Sequence, residues 1–533
     1  MDHGERISRR TLGLAAALSA ARLALPMPAL AQAAARRGGT AVLGMTEPTN
    51  VNPDLSTSYS NQLVGCMIYE GLVQVARDSS IEPLLATSWE ISPDRKTYTF
   101  KLADAKWHDG RDFTAADVKY TIENVSSKFA PVFASAAATI ESIETPDAKT
   151  VIFHLKTSFG PFLMSLAAPQ GGAILPKHLF EGTDPLQNPA SSTAPVGTGP
   201  FKLVEWSRGA YLKLVANDRY WQPERPYLKE LIVRLIPQST SRLQALRAGE
   251  IDYIPGYFVA ASDHSVIKAT DGLKLENSGF APGTKMMFMN FASAPLGEKA
   301  VRHALMMATD REFLFRNVWF GTGGIGVMPF TSRMQWAADP SIDYRQMYPF
   351  DVDKANAALD AAGHRRGSNG SRFTLRYIYA PESADSAQAG LALKSMWQKI
   401  GVDVRLIAVE GAAYADRVYT RKDFDVTIVG YTSYGDPAIG IARVFVSSAI
   451  GRPYGNASQY SNPEVDELFV RGAAATDLAE RAVFYKEAQR ILADELPVLT
   501  LQEYQHEDAA RTALRDVWGG QGYGRWGNAW LAE

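Results

Sequence analysis

The chain has 533 residues, with 55 Lys and Arg against 57 Asp and Glu, 46% hydrophobic residues and 21% charged residues. This length allows about three structural units with large cores, and the composition is that of a globular protein rather than a disordered, fibrous or coiled-coil chain. The net charge of -2 leaves no basic excess for nucleic acid, and the single cysteine, Cys66, excludes an internal disulfide or a multi-cysteine metal site.

The first feature along the chain is an export signal. Residues 6–31 begin with basic residues, continue through a moderately apolar stretch and end in an Ala-Leu-Ala triplet. This order predicts a secretory signal peptide over residues 1–31, cleaved near Ala31, and the Arg9-Arg10 pair resembles a twin-arginine signal. A membrane anchor is the alternative, but Arg22 interrupts an apolar run that needs about 20 residues to span a bilayer. With no cysteine at the cut, we predict a periplasmic protein that is not a lipoprotein.

Alternating side chains predict two strands in the next part of the chain. Residues 97–102 and 150–155 both place apolar side chains at every second position, which is the period of a strand with one buried face. Between them, Thr114 is suited to cap a helix in which Val118 and Ile122 follow at helical spacing. This region therefore mixes strands and helices.

The later half of the chain alternates strands and helices more regularly. Strands are predicted at 373–379, 402–409 and 424–430. A helix with an apolar stripe through 393–400 and a short helix near 414–419 separate them. Such alternation is typical of parallel strands joined by crossover helices, so we predict an α/β fold with these apolar faces in its core.

Motifs of catalysis are missing from the sequence. There is no nucleophile elbow, no His-Glu-x-x-His motif and no phosphate-binding loop, and the histidines show no metal-ligand spacing. Residues 321–326 satisfy the Gly-x-Gly-x-x-Gly pattern, but they follow a predicted helix where the dinucleotide motif follows a strand, so we interpret them as a flexible loop. We therefore expect a binding protein without cofactor or metal, not an enzyme.

Short motifs in a fixed order connect the chain to a known family. They include the stretches 82–94, 107–118, 195–201, 217–221, 246–252, 301–305, 401–405 and 460–466. Taken together, they resemble the extracytoplasmic solute-binding proteins of peptide, nickel and opine ABC importers, known as family 5. Each stretch also serves the scaffold; for example, Gly110 in the Trp-His-Asp-Gly sequence suits a turn after a strand.

The resemblance implies a two-lobed periplasmic-binding-protein fold, type II-like. By analogy, residues 38–278 and 497–533 form the first lobe, with an extra α+β subdomain at about 54–190, and residues 279–496 form the second lobe. Such a protein encloses its ligand by closing the lobes. The resemblance further implies docking on an ABC permease in the inner membrane, and we expect a monomer.

The resemblance also places candidate ligand contacts in one loop of the second lobe. Gly430 and Tyr431 match a Gly-Trp pair that precedes this loop in peptide-binding members. Ser433 stands where those members carry an acid that pairs with the ammonium group of the peptide, and a hydroxyl cannot replace that charge. Asp436 is an alternative anchor, or its Asp-Pro sequence only shapes a turn.

Other candidates supply the walls of the ligand site. Tyr414, Tyr431, Thr432 and Tyr434 offer aromatic faces and hydroxyl groups suited to holding a solute. Glu47 matches an acidic contact of the first lobe in some relatives; alternatively, it is a solvated carboxylate after a strand.

The hypothesis is a periplasmic importer subunit that captures a peptide or similar small organic solute. An exported hydrolase of peptides or sugars is one alternative, and a ligand-presenting chemosensory binder is another. A nickel role is disfavoured because Ala438 and Ile439 follow the Asp-Pro pair, where the resemblance implies a histidine in nickel binders. The identity of the solute stays open.

Overall fold

The computed structural model of the chain describes residues 35–279, 282–381, 383–504, 506–520 and 523–532. The predicted signal peptide lies outside the described residues. None of the helices in these ranges has the length and hydrophobicity that a bilayer crossing requires.

A seven-stranded mixed sheet, here the first-lobe sheet, is built from both ends of the chain. Its second strand, Glu507–Arg511, comes from the C-terminal part and pairs antiparallel with both of its neighbours, while Thr40–Met45 pairs parallel with the strands on either side. In spatial order, the strands are Leu273–Asn277, Glu507–Arg511, Tyr253–Ile254, Thr40–Met45, Glu230–Leu235, Tyr211–Ala216 and Phe201–Ser207.

A six-stranded mixed sheet, the second-lobe sheet, forms the centre of the other lobe. In spatial order, its strands are Gly324–Ile325, Val498–Tyr504, Gly283–Met289, Val426–Thr432, Phe373–Tyr379 and Val402–Ala408. The last three pair in parallel, as the alternation of strands and helices predicts. Strand Gly283–Met289 is buried on both faces, with Met287 in one hydrophobic core and Phe288 in the other.

A four-stranded antiparallel sheet lies within the first-lobe sequence and has its own core. Its strands, in spatial order, are Ala86–Ile91, Thr97–Leu102, Thr150–Leu155 and Ile140–Asp147. The predicted cap of the following helix is present, because Thr114 and Asp117 form a reciprocal capping box. The strand bounds 97–102 and 150–155 agree with the sequence prediction.

Helices cover these sheets. Those of the first lobe and subdomain are Tyr59–Ile68, Ala115–Thr121, Ser127–Phe129, Ala134–Ala137, Phe162–Ser165, Lys177–Phe180, Ser239–Arg247 and His264–Lys268. Those of the second lobe are Lys299–Met307, Arg311–Asn317, Tyr344–Met347, Val352–Ala361, Ala384–Gln398, Gly411–Ala415, Ala442–Phe445, Pro463–Ala474 and Leu478–Glu495. Wider π-helical turns occur at Ile122–Ser126, Asp416–Thr420 and Pro437–Ile441.

The sheets and cores show the predicted two-lobed α/β architecture. The boundaries of the lobes and of the subdomain differ from the predicted ones. Strand Val498–Tyr504 pairs with second-lobe strands, so the predicted return to the first lobe at 497 needs correction to the 504–507 segment. The predicted subdomain, 54–190, is wider than its core, because helix Tyr59–Ile68 packs in the first-lobe core. An apolar strand before a crossing suits either lobe, and only its pairing decides between them.

Candidate functional site in the cleft between the lobes

The two segments that cross between the lobes lie side by side. On the first-lobe side Asn277 pairs with Glu507, and on the second-lobe side Gly283 pairs with Tyr504. The space next to these crossings is bordered by both lobes, and we refer to it as the cleft.

Aromatic rings gather where the chain returns to the first lobe, and we call this group the aromatic cluster. Its members are Tyr59, Tyr257, Phe258, Tyr504, His506 and Tyr523. The rings of Tyr59 and Tyr257 stack with centroids 5.2 Å apart, and the ring of His506 lies 5.5 Å from Tyr257. Although it stacks on one face, Tyr257 is 58% exposed, so part of its ring is open to solvent. Such a surface suits an organic solute with apolar or planar parts.

His506 is uncharged at neutral pH in this setting. Burial lowers the pKa of His506 to about 4, and the nearby charge of Lys285 acts in the same direction. The imidazole therefore contributes a ring face and hydrogen-bonding groups to the cleft rather than a positive charge.

A half-buried ion pair lies on the second-lobe side of the cleft. Lys285, on strand Gly283–Met289, places its Nζ 2.7 Å from Oδ2 of Asp385 and 5.7 Å from the ring centroid of Tyr504. Burial alone would raise the pKa of Asp385, but the charge and hydrogen bond of Lys285 outweigh burial and hold that pKa at about 2. The two charges neutralise each other.

The predicted ligand loop, residues 430–436 and here the cleft loop, continues from strand Val426–Thr432 beside this pair. A Cβ atom on Gly430 would stand 3.0 Å from the hydroxyl of Tyr504, and Thr432 hydrogen-bonds to Tyr504. Ser433 is fully buried; its backbone amide donates to the carbonyl of Pro282, and its Oγ accepts from the amide of Gly435. The structure thus brings the start of this loop to the crossings.

Tyr434 and Asp436 anchor the cleft loop on two sides. The side chain of Tyr434 packs into the core of the subdomain, across the cleft from its own lobe. Asp436 forms two 2.7 Å hydrogen bonds with the guanidinium of Arg481 and also accepts from the amide of Ala438. The carboxylate of Asp436 therefore caps the turn and neutralises a buried arginine.

Two of the predicted wall residues point into the second lobe. The hydroxyl of Tyr431 lies 3.1 Å from that of Tyr419, and the ring packs against Phe288 in the core. The hydroxyl of Tyr414 lies 2.7 Å from Oγ1 of Thr427 on the central sheet. Both side chains support the strand that carries the cleft loop.

Glu47 lies in a different setting, at the turn of the hairpin that ends the first-lobe sheet. Its carboxylate accepts hydrogen bonds from Nε1 of Trp206 and the amide of Gly209, and Arg208 lies 3.6 Å away. These contacts tie the segment after strand Thr40–Met45 to the hairpin. A role for Glu47 in ligand binding stays a prediction.

Sequence motifs did not single out several residues of the cleft. Lys285 was detectable, since it is the one charged residue in its strand. His506 and Tyr257 carried no local signal, because they contact each other from distant parts of the chain. Arg443 belongs to none of the sequence motifs. Arg443 lies with its guanidinium carbon 5.2 Å from the ring centroid of Tyr431.

Comparisons with known proteins cover nearly the whole chain. Residues 80–451 match the model of the bacterial extracellular solute-binding proteins, family 5 Middle. The chain is 30% identical over 521 residues to the probable D,D-dipeptide-binding periplasmic protein DdpA of Escherichia coli (strain K12), covering 95% of this chain and 96% of that protein. It is 29% identical over 458 residues to heme-binding protein A of Haemophilus influenzae, covering 81% and 80%.

Solved structures with the same fold include proteins with bound ligands. The oligopeptide-binding protein AppA of Bacillus subtilis, in complex with a nonapeptide, has a TM-score of 0.82 and 26% identity, covering 94% of this chain and 100% of that one. AgaA from A. tumefaciens R10, in complex with agropinic acid, has a TM-score of 0.81 and 26% identity, covering 93% and 99%. The ligands differ widely within one fold.

Proposed function

Because the chain belongs to the bacterial extracellular solute-binding proteins, family 5, we infer that it is the substrate-binding subunit of an ABC importer. In this role it captures a peptide or similar small organic solute between its lobes and delivers the solute to the membrane permease. The observation that carries the proposal is the position of the cleft loop, which extends from the second lobe and buries Tyr434 in the subdomain. A solute beside this loop is shielded from water without covalent chemistry.

The cleft argues against a free amino terminus as the main anchor of the solute. Ser433 carries no charge, and Asp436 is already neutralised by Arg481. Asp385 is likewise paired with Lys285. Among the described residues, the carboxylates next to the cleft loop are thus satisfied by protein cations, so a ligand ammonium group gains little there.

Calorimetry and thermal shift with matched peptides test this proposal. Dipeptides with a free amine and the same dipeptides with an acetylated amine are expected to bind without strong preference for the amine. A large preference would contradict the assignment of Ser433 and Asp436. A solute that raises the melting temperature and is recovered chemically unchanged supports an importer subunit. Turnover of that solute supports an exported hydrolase instead.

The same proposal covers localisation and assembly. We infer export to the periplasm through a twin-arginine signal cleaved near Ala31, without a lipid anchor, and a monomer in solution. Replacing Arg9 and Arg10 together by lysine is expected to leave precursor in the cytoplasm, detected by fractionation and immunoblotting. Light scattering coupled to gel filtration measures the mass, and a dimer would contradict the monomer.

A further inference from the structure

The cations around the cleft differ in whether a protein carboxylate neutralises their charge. Lys285 is paired with Asp385 at 2.7 Å, and Arg481 is paired with Asp436 through two hydrogen bonds. Arg443 takes part in no ion pair among the residues that the structure describes. Its Nε donates one long hydrogen bond, 3.4 Å, to the carbonyl of Gly440. Arg443 is therefore the cation of this group whose charge has no protein counterion within the described chain.

The surroundings of Arg443 hold its guanidinium in place without neutralising it. The guanidinium carbon lies 5.2 Å from the ring centroid of Tyr431 and 5.9 Å from that of Tyr434. Aromatic faces attract a cation but leave its N–H donors available. The side chain is also half-buried, so it is partly withdrawn from water.

Tyr434 connects this cation to the other side of the cleft. Its backbone φ is +51°, a conformation that costs a non-glycine residue free energy and that persists where the surrounding structure requires it. In this conformation Tyr434 reaches the subdomain core, and it lies near enough to Tyr523 and Tyr504 to influence both electrostatically. Arg443 thus lies next to Tyr434, a tyrosine that borders both lobes.

We propose that Arg443 selects solutes with a carboxylate and binds that carboxylate through its guanidinium when the lobes close. A guanidinium presents paired N–H donors that match the two oxygens of a carboxylate, and such a pair is strong in a partly dry site. Ser433, in the same loop, carries no charge, and the guanidinium of Arg443 lies 5.9 Å from the ring centroid of the neighbouring Tyr434. This assignment rests on the proposed function and narrows its solute to a small organic acid or a peptide bound through its carboxylate.

The test uses yeast extract as a broad source of solutes, offered untreated and after amidation of its carboxylates. Purified protein is unfolded and refolded to remove bound solute, incubated with each extract and passed through a desalting column. Mass spectrometry identifies what is retained. We expect a retained solute with a carboxylate from the untreated extract and loss of its amide form from the treated one.

Variants of Arg443 separate charge from shape. Against the identified solute, Arg443→Met is expected to weaken binding by about 30-fold or more, and Arg443→Lys by less, because lysine keeps the charge but loses the paired donors. Arg452→Met, which removes an exposed arginine of the same lobe, is the matched control and is expected to bind as the parent does. If Arg443→Met fails to fold, the amide comparison on the parent protein and the lysine variant still decide.

The outcomes distinguish this assignment from the proposed function. Equal retention of the amide form, a neutral retained solute, or unchanged affinity of Arg443→Met overturns the role of Arg443 while leaving a solute-binding protein. Retention of no solute at all overturns the proposed function, and the role of Arg443 with it.

Discussion

Asp436 and Arg481 form an ion pair whose side chains are both 5% exposed. The pair joins the end of the cleft loop to helix Leu478–Glu495, and the hydroxyl of Tyr485 accepts a further hydrogen bond from Arg481. The charge of Asp436 outweighs the effect of burial and raises the pKa of Arg481. A buried pair of this kind stabilises the fold mainly by leaving neither charge uncompensated.

Replacing Asp436 by asparagine should therefore be strongly destabilising, because it leaves a buried guanidinium without a counterion. We expect Asp436→Asn to lose about 3–5 kcal/mol of unfolding free energy in urea denaturation. Glu487→Gln, which breaks the exposed pair between Glu487 and Arg490, is the control and is expected to change stability by less than about 1 kcal/mol. A loss for Asp436→Asn as small as that of the control would show that the pair is not essential.

Asp54 makes the stability of the fold depend on pH. Burial raises the pKa of Asp54 to about 8, and hydrogen bonds from Ser126 and the amide of Ala173 oppose this only in part. The pKa of Asp54 in the fold lies above that in the unfolded chain. The contribution of Asp54 to the free energy of unfolding is therefore fully present below pH of about 4, and it is lost as pH rises toward about 8.

The Asp54→Asn variant removes this titration and keeps the hydrogen-bonding groups. Between pH 5 and pH 8 we expect the parent to lose more unfolding free energy than the variant, by up to about 1.4 kcal/mol per pH unit. Glu70 and Asp508, whose pKa values burial raises to about 7, titrate in both proteins and cancel in the comparison. Parallel stability curves for the two proteins would refute the role of Asp54.

At the scale of elements, the paired crossing strands leave no room for a side chain at Gly283. A Cβ atom there would stand 2.4 Å from Cζ of Tyr504, on the neighbouring strand. Tyr504 in turn contacts Thr432 and the ring of His506. The spacing of the two strands therefore sets the position of several cleft residues at once.

Gly283→Ala should displace the ring of Tyr504 and weaken solute binding by about tenfold or more, since small misplacements in a closed site are costly. The measurement is the affinity for the retained solute by calorimetry. Gly324→Ala is the matched control, because a Cβ atom on Gly324, in the same sheet, meets nothing within 4 Å. Parent-like affinity of Gly283→Ala would mean that Tyr504 does not contribute to the site.

Elements with a clear period were predictable from sequence, and contacts between distant elements were not. Strand Phe373–Tyr379 has the predicted bounds, because its apolar pattern and its flanking turns are local signals. The sequence predicts strand Val498–Tyr504 in the first lobe, whereas the strand pairs in the second-lobe sheet. Its apolar residues suit either sheet. The partner of Asp436 lies 45 residues away in sequence, so the ion pair between Asp436 and Arg481 was not predictable from local sequence.

At the scale of the whole molecule, the subdomain touches the second lobe at a second contact, besides that of Tyr434. The amide of Gly160 donates to the carbonyl of Ala473 at 2.7 Å, and Oγ of Ser158 donates to that of Ala474 at 2.6 Å. A Cβ atom on Gly160 would stand 2.8 Å from Nε of Arg481. These contacts join segments of different lobes, so an opening of the lobes would have to break them.

A larger side chain at Gly160 should hinder closure while leaving each lobe folded. We expect Gly160→Val to keep the melting temperature of the solute-free parent and to bind the retained solute about tenfold or more weakly. On addition of solute, the radius of gyration measured by X-ray scattering should decrease less than it does for the parent. Ser158→Ala removes one hydrogen bond across the same contact, worth about 1 kcal/mol, and should act in the same direction but less strongly. If Gly160→Val closes and binds like the parent, this contact is not part of closure; if it lowers the solute-free melting temperature markedly, Gly160 serves the fold and not the movement of the lobes.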